Sequence, residues 1–370
     1  MTNEYYIGLM SGTSLDGIDV GLYSFTDNKI ELIHFYYQAY TAEIKQKILK
    51  LCNIDRPISL LEYGALDTQL GLLYAEACLT LLAQTKINAH DIKAIGSHGQ
   101  TIQHSPNTAH PFTLQIGDPN IISQKTGITT IADFRRKDIA AGGQGAPLVP
   151  AFHHAMFHSG NTNRVIVNIG GIANITALPK DTNSKIQGFD TGPGNTLMDH
   201  WIMTHKNSTY DHNGAWAATG NIKMDLLKAL KGDPYFSLPP PKSTGTEYFS
   251  AIWLSEKLRT TPNYAPEDIQ RTLCQLTTES IAEAINKFAP ETEQVFLCGG
   301  GTHNQVLLNS LKRLLNIDVN STDAIGAPPD QIEAMAFAWL AKQTLTGLTG
   351  NLPEATGANE AVILGGVYQA

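Results

Sequence analysis

The sequence predicts an α/β protein made of two similar halves, and three features of the chain support this prediction. Apolar segments of strand length alternate with longer segments in which apolar residues recur at helical spacing. Both halves open with strands that run into glycine-rich loops. Hydrophobic residues make up 42% of the 370 residues, which is enough to fill a core and excludes a disordered chain.

The first half opens with a predicted meander of strands. Short apolar runs predict the strands, and an Asp-Asn-Lys turn at 27–29 predicts a hairpin between the second and the third. Two later apolar runs that lead into loops predict further strands. The predicted strands of this half are 7–10, 20–25, 30–37, 92–99 and 127–134.

Each half also contains one strongly predicted helix. In the first half, Ser59 and Glu62 have the spacing of a capping box, and the leucines that follow recur every three or four positions. In the second half, Pro266 begins a helix that continues to about residue 288. The predicted strands of the second half are 164–169, 173–178, 186–190 and 293–298.

The composition excludes several classes of protein. The chain carries 26 basic and 34 acidic residues, a net charge of −8, and no basic run, which argues against binding of nucleic acid. No stretch approaches the length of a membrane span. Glu4 stands where a signal peptide needs positive charge, and the four cysteines form no CxxC pair. We therefore expect a cytoplasmic protein with neither disulfides nor a zinc site.

Glycine-rich loops after strands are the main functional signal. Such a loop lets the backbone approach a ligand and turns N–H groups toward an anion, although turns and β-bulges explain many glycines. The chain has neither a GxxxxGK[ST] phosphate loop nor a GxGxxG that opens a helix after the first strand. The glycine-rich loops lie at 8–19, 167–174, 190–195 and 297–304.

These loops are similar to those of the actin, Hsp70 and sugar-kinase superfold. MSGTSLDGID and VNIGGIAN resemble its two phosphate loops, and VFLCGGGTHN resembles its adenosine loop. More specifically, the chain resembles the anhydro-N-acetylmuramic acid kinase family, because its motifs follow one another from residue 8 to 365. These motifs are GLMSGTSLDGIDV, GSHGQT, QIGDPN, DFRRKDIAAGGQGAPLVP, NIGGIANIT, FDTGPGN, PPKSTGTEYF, LCGGGTHN and PEATGANEAVILG.

The resemblance implies a two-lobed actin-like ATPase fold of the ribonuclease H-like type. Mixed sheets flanked by helices would form each lobe, with ATP in the cleft between the lobes. The lobes would span 1–137 and 138–370, divided near the glycine-rich segment FRRKDIAAGGQGAP, and it stays open whether 346–370 packs back on the first lobe. A hinge is expected near the boundary, since lobes around an ATP cleft usually close on their ligand.

The resemblance further implies an ATP-dependent kinase of peptidoglycan recycling and amino sugar metabolism. Water would open the anhydro bridge of 1,6-anhydro-N-acetylmuramic acid, and the released O6 would take the γ-phosphoryl group, giving N-acetylmuramic acid 6-phosphate. Mg²⁺ would bridge the β- and γ-phosphates without a cage of protein ligands. A kinase of another sugar and an actin- or Hsp70-like nucleotide switch are the alternatives. The sequence leaves a homodimer open.

The motif FDTGPGN implies that Asp190 is the catalytic base for the water. A carboxylate at the end of a strand, just before a glycine loop, can face a ligand while backbone N–H groups bind anions nearby. A structural role is the alternative. Asp190 would then cap a helix that begins near Asn195 or close an Asx turn.

The resemblance assigns ATP to the glycine loops, whose alternative role is a tight turn or the entry to a helix. The superfold often has an acidic residue in its first strand, where this chain has Met10, so neither Asp16 nor Asp19 is assigned a metal. The predicted ATP-binding residues are Gly12, Thr13, Ser14, Leu15, Asp16, Gly17, Ile18, Asp19, Gly170, Gly171, Gly192, Gly194, Gly299, Gly300, Gly301 and Asn304.

For the sugar, Arg135 is attractive because muramic acid carries a lactyl carboxylate, which a guanidinium grips with two hydrogen bonds. An ion pair with Asp133 or Asp138 is the alternative for Arg135. The alternative for Glu333 is a capping box with Asp330. The predicted sugar-binding residues are Ser97, His98, Gln100, Thr101, Asp133, Arg135 and Glu333.

Overall fold

The structure, a computed structural model, describes residues 3–26, 29–53 and 56–370 and divides into two compact units. The first unit consists of Met1–Met156 and Gln331–Ala370, and the second of Phe157–Asp330. The division lies at 156/157 rather than at the predicted 137/138, and the chain re-enters the first unit at 331. One reason is that buried Asp138 accepts hydrogen bonds from Asn351 and Thr356 near the end of the chain.

Strands and α-helices alternate along the described part of the chain. The strands are β1 Glu4–Ser11, β2 Gly17–Thr26, β3 Lys29–Ala39, β4 Ile92–Ser105, β5 Phe112–Ile116, β6 Thr130–Ala132, β7 Arg164–Ile169, β8 Ile172–Leu178, β9 Gln187–Pro193, β10 Gln294–Cys298, β11 Asp318–Ser321 and β12 Gly366–Tyr368. The helices are α1 Ala42–Cys52, α2 Leu60–Ala83, α3 Pro119–Thr126, α4 Arg136–Ala140, α5 Val149–Phe157, α6 Thr196–Lys206, α7 Met224–Lys231, α8 Ala251–Arg259, α9 Pro266–Phe288, α10 Gln305–Leu315, α11 Ile332–Leu345 and α12 Pro353–Thr356.

The sheet of the first unit has seven strands in the order β12-β6-β4-β1-β2-β3, and β5 pairs with β4. β1, β2 and β3 form the predicted meander, whereas β4 runs parallel to both β1 and β6. Alternate side chains of a strand point to the same side of the sheet, so the apolar residues of β1 and β2 form one layer. This layer packs against α1, α2 and α3 and makes the core of the unit.

Helix α11 packs directly on β1 and β4 of the same sheet. A Cβ atom at Gly8 of β1 would overlap the carbonyl oxygen of Ala334, and one at Gly96 of β4 would overlap that of Phe337. Glycine is required at both positions because the backbone of the helix lies against the strands. The carboxyl-terminal segment also supplies β12, which pairs antiparallel with β6.

The second unit has a five-stranded sheet of the same design. Its order is β11-β10-β7-β8-β9, with β7, β8 and β9 antiparallel and β10 parallel to both β7 and β11. In each unit a three-stranded meander comes first, and the next strand of the sheet lies beside the first strand of the meander. This repeated order is that of a ribonuclease H-like fold, so the predicted fold class and the similarity of the two halves are confirmed.

Helix α9 runs through the core of the second unit. Pro266 occupies its first position, as predicted, where its missing N–H would have no partner within the helix. Its apolar side chains pack with those of the sheet and of α6, α7 and α10. The helix ends at Phe288, which is the predicted end.

Helix α2 begins after Ser59, as predicted, and the Ser59 hydroxyl accepts a hydrogen bond from the Leu61 N–H. Both oxygens of the Glu62 carboxylate bind the Arg56 guanidinium, at 2.9 and 2.7 Å, and the carboxylate also has a backbone hydrogen bond with Ser59. Ser59 is therefore the cap that the sequence predicts.

The hairpin between β2 and β3 is confirmed by the pairing of Thr26 with Lys29. Asp27 and Asn28 of the predicted turn lie outside the described residues. Among the helices that the structure describes, none combines the length and the apolar character that crossing a membrane requires.

Candidate active site

Asp190 lies in the middle of β9 in the second unit, not at the end of a strand as predicted, because the strand continues to Pro193. Both its backbone and its carboxylate are held. The Asp190 N–H donates to the Lys242 carbonyl oxygen at 3.1 Å, and its carbonyl oxygen accepts from the Tyr235 hydroxyl at 2.8 Å. Oδ2 of its carboxylate accepts a hydrogen bond from the Thr244 N–H at 2.9 Å. The segment 242–244 therefore fixes the direction of the carboxylate.

The environment of Asp190 disfavours its charged form. Loss of hydration raises the pKa of Asp190 from its ordinary value of 3.8 to about 7, although the Thr244 N–H and the charge of Lys242 oppose this rise. The negative charge of Glu247 adds to it. A carboxylate with a pKa near 7 can accept a proton and release it again at neutral pH, which is what a general base must do.

Asp190 does not cap helix α6, so this alternative is wrong. Asn195 is the residue before the helix, and no side chain caps it there. The Asn195 N–H donates to the Gly170 carbonyl oxygen at 2.8 Å, and its Nδ2 donates to the Ile169 carbonyl oxygen at 3.1 Å. Asn195 thereby ties the start of α6 to the loop between β7 and β8.

Two predicted ATP-binding loops of the second unit are bonded to each other. The Gly194 N–H donates to the Gly171 carbonyl oxygen at 2.9 Å. A Cβ atom at Gly194 would overlap the Gly170 carbonyl oxygen, and one at Gly192 would lie 2.7 Å from the Phe236 ring. Packing therefore requires these two glycines. A Cβ atom at Gly170, in contrast, would have no neighbour closer than 3.6 Å.

The third loop of the second unit follows β10. Gly299 has a left-handed backbone with φ of 79°, and a Cβ atom at Gly301 would overlap the Ile169 side chain. At Gly300 nothing lies within 4 Å of such an atom. Asn304 caps helix α10, because its Oδ1 accepts a backbone N–H of the first turn at 3.1 Å. Asn304 therefore has the structural role considered as the alternative for this loop, at the entry to a helix.

The loop between β1 and β2 carries the predicted phosphate-binding residues of the first unit. Leu15 is buried and adopts a left-handed backbone with φ of 58°. A Cβ atom at Gly12 would meet only the Ser14 hydroxyl, at 3.7 Å, whereas one at Gly17 would overlap the Gln38 carbonyl oxygen. Gly17 is thus required by the β2–β3 hairpin. The exposed side chains of the loop are Thr13, Ser14 and Asp16.

Met10 and Asp19 face each other across β1 and β2. Asp19 therefore places a carboxylate beside the strand position at which many superfold members have their acidic residue. Ile18, the neighbour of Asp19, is buried in the core. Among the described residues no group of three His, Cys, Asp or Glu side chains could hold a metal ion.

Gln100 supports the first phosphate loop and has no surface to offer a sugar. Its side chain is fully buried at 0% exposure. Nε2 donates to the carbonyl oxygens of Gly12 and Thr101, each at 3.3 Å, and Oε1 accepts from the Ser11 hydroxyl at 2.6 Å. The sugar contact predicted for Gln100 has no exposed polar atom to make it, so we correct its role to support of the loop.

Arg135 is held between two groups of the first unit. Its Nε donates to Nε2 of His98 at 3.0 Å, and its Nη1 donates to the Gly145 carbonyl oxygen at 2.8 Å. Among the described residues, Arg135 forms no ion pair with Asp133 or Asp138, which was the alternative considered for it. The Asp133 carboxylate binds the next arginine along the chain, and Asp138 accepts from other donors.

Arg135 and His98 have complementary charge states. Burial lowers the pKa of Arg135 to about 10, against the charges of Glu333 and Asp138, so the guanidinium stays charged at neutral pH. Burial and this guanidinium hold the pKa of His98 well below its ordinary 6.5. The neutral His98 ring can therefore accept the Arg135 hydrogen bond.

Glu333 lies in the first turn of α11, but no capping box with Asp330 forms. The residue before the helix is Gln331, and the Asp330 carboxylate binds the His303 ring at 2.8 Å. The charge of Glu333 acts instead on Arg135. The first unit therefore brings Glu333, Arg135 and His98 into one group.

The other predicted sugar-binding residues lie along the same strand or the following loop. Ser97 is buried, and its hydroxyl has no hydrogen-bond partner among the described residues. Oγ1 of Thr101 accepts from Nε2 of Gln115 at 3.1 Å. Asp133, with a left-handed φ of 61°, is occupied by its pair with Arg136. A sugar contact by Ser97 or Thr101 stays a prediction.

Lys242 and Thr244 are functional candidates that sequence reasoning did not single out. Both belong to the motif PPKSTGTEYF, which was the available signal. Their relation to Asp190 could not be read from local pattern, because the Thr244–Asp190 hydrogen bond joins residues 54 positions apart.

Comparison with known proteins identifies the chain. The model of the anhydro-N-acetylmuramic acid kinase family matches residues 4–370. The chain belongs to this family. A relative named anhydro-N-acetylmuramic acid kinase from Coxiella burnetii (strain Dugway 5J108-111) is 50% identical over 369 residues, covering 100% of this chain and 98% of the relative. One of the same name from Pasteurella multocida (strain Pm70) is 49% identical over 366 residues, covering 98% and 96%.

Among solved structures, similarity is found to component A of the (R)-2-hydroxyglutaryl-CoA dehydratase of Acidaminococcus fermentans. The TM-score is 0.47 and the sequence identity 10%, over 90% of this chain and 96% of that chain. This similarity is too weak to indicate a function. The function is indicated by the family match.

Proposed function

We propose that this chain is an ATP-dependent kinase of 1,6-anhydro-N-acetylmuramic acid. It adds water across the anhydro bridge and transfers the γ-phosphoryl group of ATP to O6, and the products are N-acetylmuramic acid 6-phosphate and ADP. The observation that carries the proposal is Asp190, a carboxylate with a pKa of about 7 held by the Thr244 N–H in a chain of this family. Its place is the peptidoglycan-recycling pathway, in the cytoplasm, where ATP is available.

In this mechanism Asp190 is the general base. Its carboxylate takes a proton from a water molecule while the water oxygen attacks the anomeric carbon of the sugar. The bond between the anomeric carbon and O6 breaks, and O6 attacks the γ-phosphorus of ATP. The bond from that phosphorus to the bridging oxygen of ADP breaks, ADP leaves, and Asp190 returns its proton to solvent. The hydrogen bond from the Thr244 N–H keeps Oδ2 of Asp190 in place, so the proton is accepted in a fixed direction.

ATP is proposed to bind at the glycine loops. Gly12, Gly170 and Gly300 lie in three different loops, and each has room for a Cβ atom that it does not carry. Nothing in the fold demands glycine at these positions. A ligand that approaches the backbone N–H groups closely would demand it, because a Cβ atom would hold phosphate or ribose oxygens away.

Mg²⁺ is proposed to arrive with the nucleotide, bridging its β- and γ-phosphates. Among the described residues no group of three acidic, histidine or cysteine side chains could hold the ion. The described residues therefore offer no such group for a resident metal ion, and a cation carried by phosphate oxygens fits better. Such a cation would neutralise charge that develops on the transferring phosphoryl group.

The sugar is proposed to bind near Arg135 of the first unit. The guanidinium remains charged at neutral pH and is bound at Nε and Nη1, which leaves N–H groups for the lactyl carboxylate of the substrate. Glu333 lies in the same group of charges. Its carboxylate can accept hydrogen bonds from sugar hydroxyl groups.

The decisive test is release of ADP, measured by a coupled assay, with 1,6-anhydro-N-acetylmuramic acid, with glucose and without sugar. We expect ADP only with the anhydro sugar and a 6-phosphate product in the mass spectrum. ADP release with glucose would favour a kinase of another sugar. ADP release that ignores sugars but responds to a protein partner would favour a nucleotide switch. Sedimentation of the same preparation tests the homodimer that the sequence leaves open.

A further inference from the structure

The carboxylate of Asp138, in helix α4 of the first unit, is hydrogen-bonded at both of its oxygens. It is fully buried at 0% exposure. Oδ1 accepts from Nδ2 of Asn351 and from the Thr356 hydroxyl, each at 2.7 Å, and Oδ2 accepts from the Gly145 N–H, also at 2.7 Å. Two of these donors come from residues more than 200 positions away, in a segment with no part in the mechanism so far.

This carboxylate is linked to Arg135 through one peptide unit. The Gly145 N–H points to Asp138, and the Gly145 carbonyl oxygen accepts the hydrogen bond from Nη1 of Arg135 at 2.8 Å. A Cβ atom at Gly143 would overlap the Asp138 carboxylate, so the loop lies tightly over it. The Gln144 N–H donates to the Thr356 carbonyl oxygen at 2.8 Å, which fixes the same loop a second time.

His98 holds the other side of the guanidinium. Its ring accepts from Nε of Arg135 and packs on the Phe337 ring, with ring centroids 4.8 Å apart. A guanidinium has five N–H donors in a planar fork. His98 and Gly145 take two of them, and within 3–26, 29–53 and 56–370 no protein group takes the others. The protein therefore sets the direction of the guanidinium through these two bonds, and the remaining N–H groups are the ones that the proposed function assigns to the carboxylate of the sugar.

We infer that the carboxyl-terminal segment 351–356 is a positioning element for the substrate-binding guanidinium. Asn351 and Thr356 hold Asp138, Asp138 holds the Gly145 peptide unit, and Gly145 aims Arg135. This inference rests on the proposed function, since it assigns Arg135 to the carboxylate of the sugar. It also gives the motif PEATGANEAVILG a role, because Thr356 lies within that motif and Asn351 lies just before it.

The test compares Thr356→Val with a matched control, Thr126→Val. Both threonines are buried in the first unit, and each hydroxyl lies beside the carbonyl oxygen four residues earlier and accepts from the N–H two residues later. The single O–H of Thr126 donates to that local carbonyl oxygen at 2.7 Å, whereas the O–H of Thr356 donates to Asp138 at 2.7 Å, with its local carbonyl oxygen 3.4 Å away. Thr356→Val therefore removes the bond to Asp138, and Thr126→Val removes a local bond in the same setting.

We expect Thr356→Val to raise KM for the anhydro sugar about tenfold, with kcat within about twofold and KM for ATP unchanged, because a contact made equally in substrate and transition state is lost. Thr356→Ser should restore KM, and Thr126→Val should leave it unchanged. An unchanged sugar KM in Thr356→Val, or an equal rise in Thr126→Val, would overturn the inference.

A double-mutant cycle tests whether the effect passes through Arg135. In an Arg135→Lys background, Thr356→Val should raise the sugar KM by less than about twofold, because coupled residues are not additive. A rise as large as in the wild-type background would refute positioning through Arg135. If the wild-type chain releases ADP without sugar dependence in the same assay, the proposed function fails, and this inference fails with it.

Discussion

Two aspartates, the buried Asp138 of the first unit and the partly buried Asp190 of the second, show two different environments for the same side chain. The carboxylate of Asp138 accepts hydrogen bonds from Asn351, Thr356 and the Gly145 N–H. The carboxylate of Asp190, among the described residues, accepts one, from the Thr244 N–H. With a single donor to replace lost water, Asp190 has its pKa raised to about 7.

The difference indicates that hydrogen-bond donors, and not loss of hydration alone, decide what such a carboxylate does. A carboxylate with donors on both oxygens stays bonded to the chain and fixes the segments that supply them. One with a single donor keeps an oxygen available and can take up a proton near neutral pH. Asp138 therefore belongs to the framework, and the environment of Asp190 suits the base that we propose.

The largest effect should come from Asp190→Asn. We expect sugar-dependent ADP release to fall by a factor of about 10² to 10⁴, the usual contribution of a general base, because the amide cannot accept the proton of water. Steady-state assays measure the loss, and circular dichroism checks that the fold is kept. Turnover close to the wild-type value would remove Asp190 from the mechanism.

The same substitution at the other aspartate, Asp138→Asn, should act on the fold. The amide replaces a charge that three donors satisfy and turns an NH₂ group toward one of them, so we expect a loss of about 2–4 kcal/mol in the free energy of unfolding. Denaturant titration measures it. If Asp190→Asn destabilises the protein as much as Asp138→Asn does, the contrast between the two sites is wrong.

The pH dependence should follow Asp190. Its deprotonated form is the base, so kcat/KM should rise about tenfold per pH unit up to about 7 and then level off. Between pH 3.8 and about 7 the folded chain keeps a proton that the unfolded chain has lost. The contribution of Asp190 to stability therefore decreases as pH rises through this window. Asp190→Asn should match the wild-type melting temperature near pH 4 and exceed it by roughly a few degrees at pH 8. A kcat/KM that is constant from pH 5 to 8 would contradict this assignment.

The smallest effects should come from the adjacent glycines Gly300 and Gly301. Packing requires the second of them to be glycine but not the first. Gly300 has open space for a Cβ atom, and Gly301 has the Ile169 side chain there. Gly300→Ala should raise KM for ATP about tenfold or less and leave stability unchanged, whereas Gly301→Ala should lower the melting temperature. Loss of stability in Gly300→Ala would show that this glycine, too, is needed by the fold.

Much of the fold could be predicted because its signals are local. Pro266 at the start of α9, Ser59 before α2 and the apolar runs of the two meanders each reveal an element from neighbouring residues. The unit boundary could not be predicted in this way. It depends on bonds such as that between Asp138 and Thr356, 218 positions apart, which leave no periodic pattern in the sequence.

The residues of the candidate site show the same division between local signals and long-range contacts. Asp190 and Arg135 were predicted because family motifs contain them, and their residue types suit a base and an anion-binding group. Gln100 was misassigned because its motif does not reveal that the side chain faces the interior, at 0% exposure. The roles of Lys242 and Thr244 need the three-dimensional pairing of residues 242–244 with β9.

The packing of α11 on Gly8 and Gly96 sets an order on assembly during synthesis. The second unit is one continuous stretch, Phe157–Asp330, and all of its strands are synthesised before α11. The first unit, although its sheet begins at β1, lacks α11 and β12 until the chain has been made as far as Tyr368. Domains usually fold from the amino terminus onward. In this chain the residues of the second unit are all made before those of the first unit are complete. The face of β1 and β4 around Gly8 and Gly96 therefore stays uncovered until α11 has been synthesised.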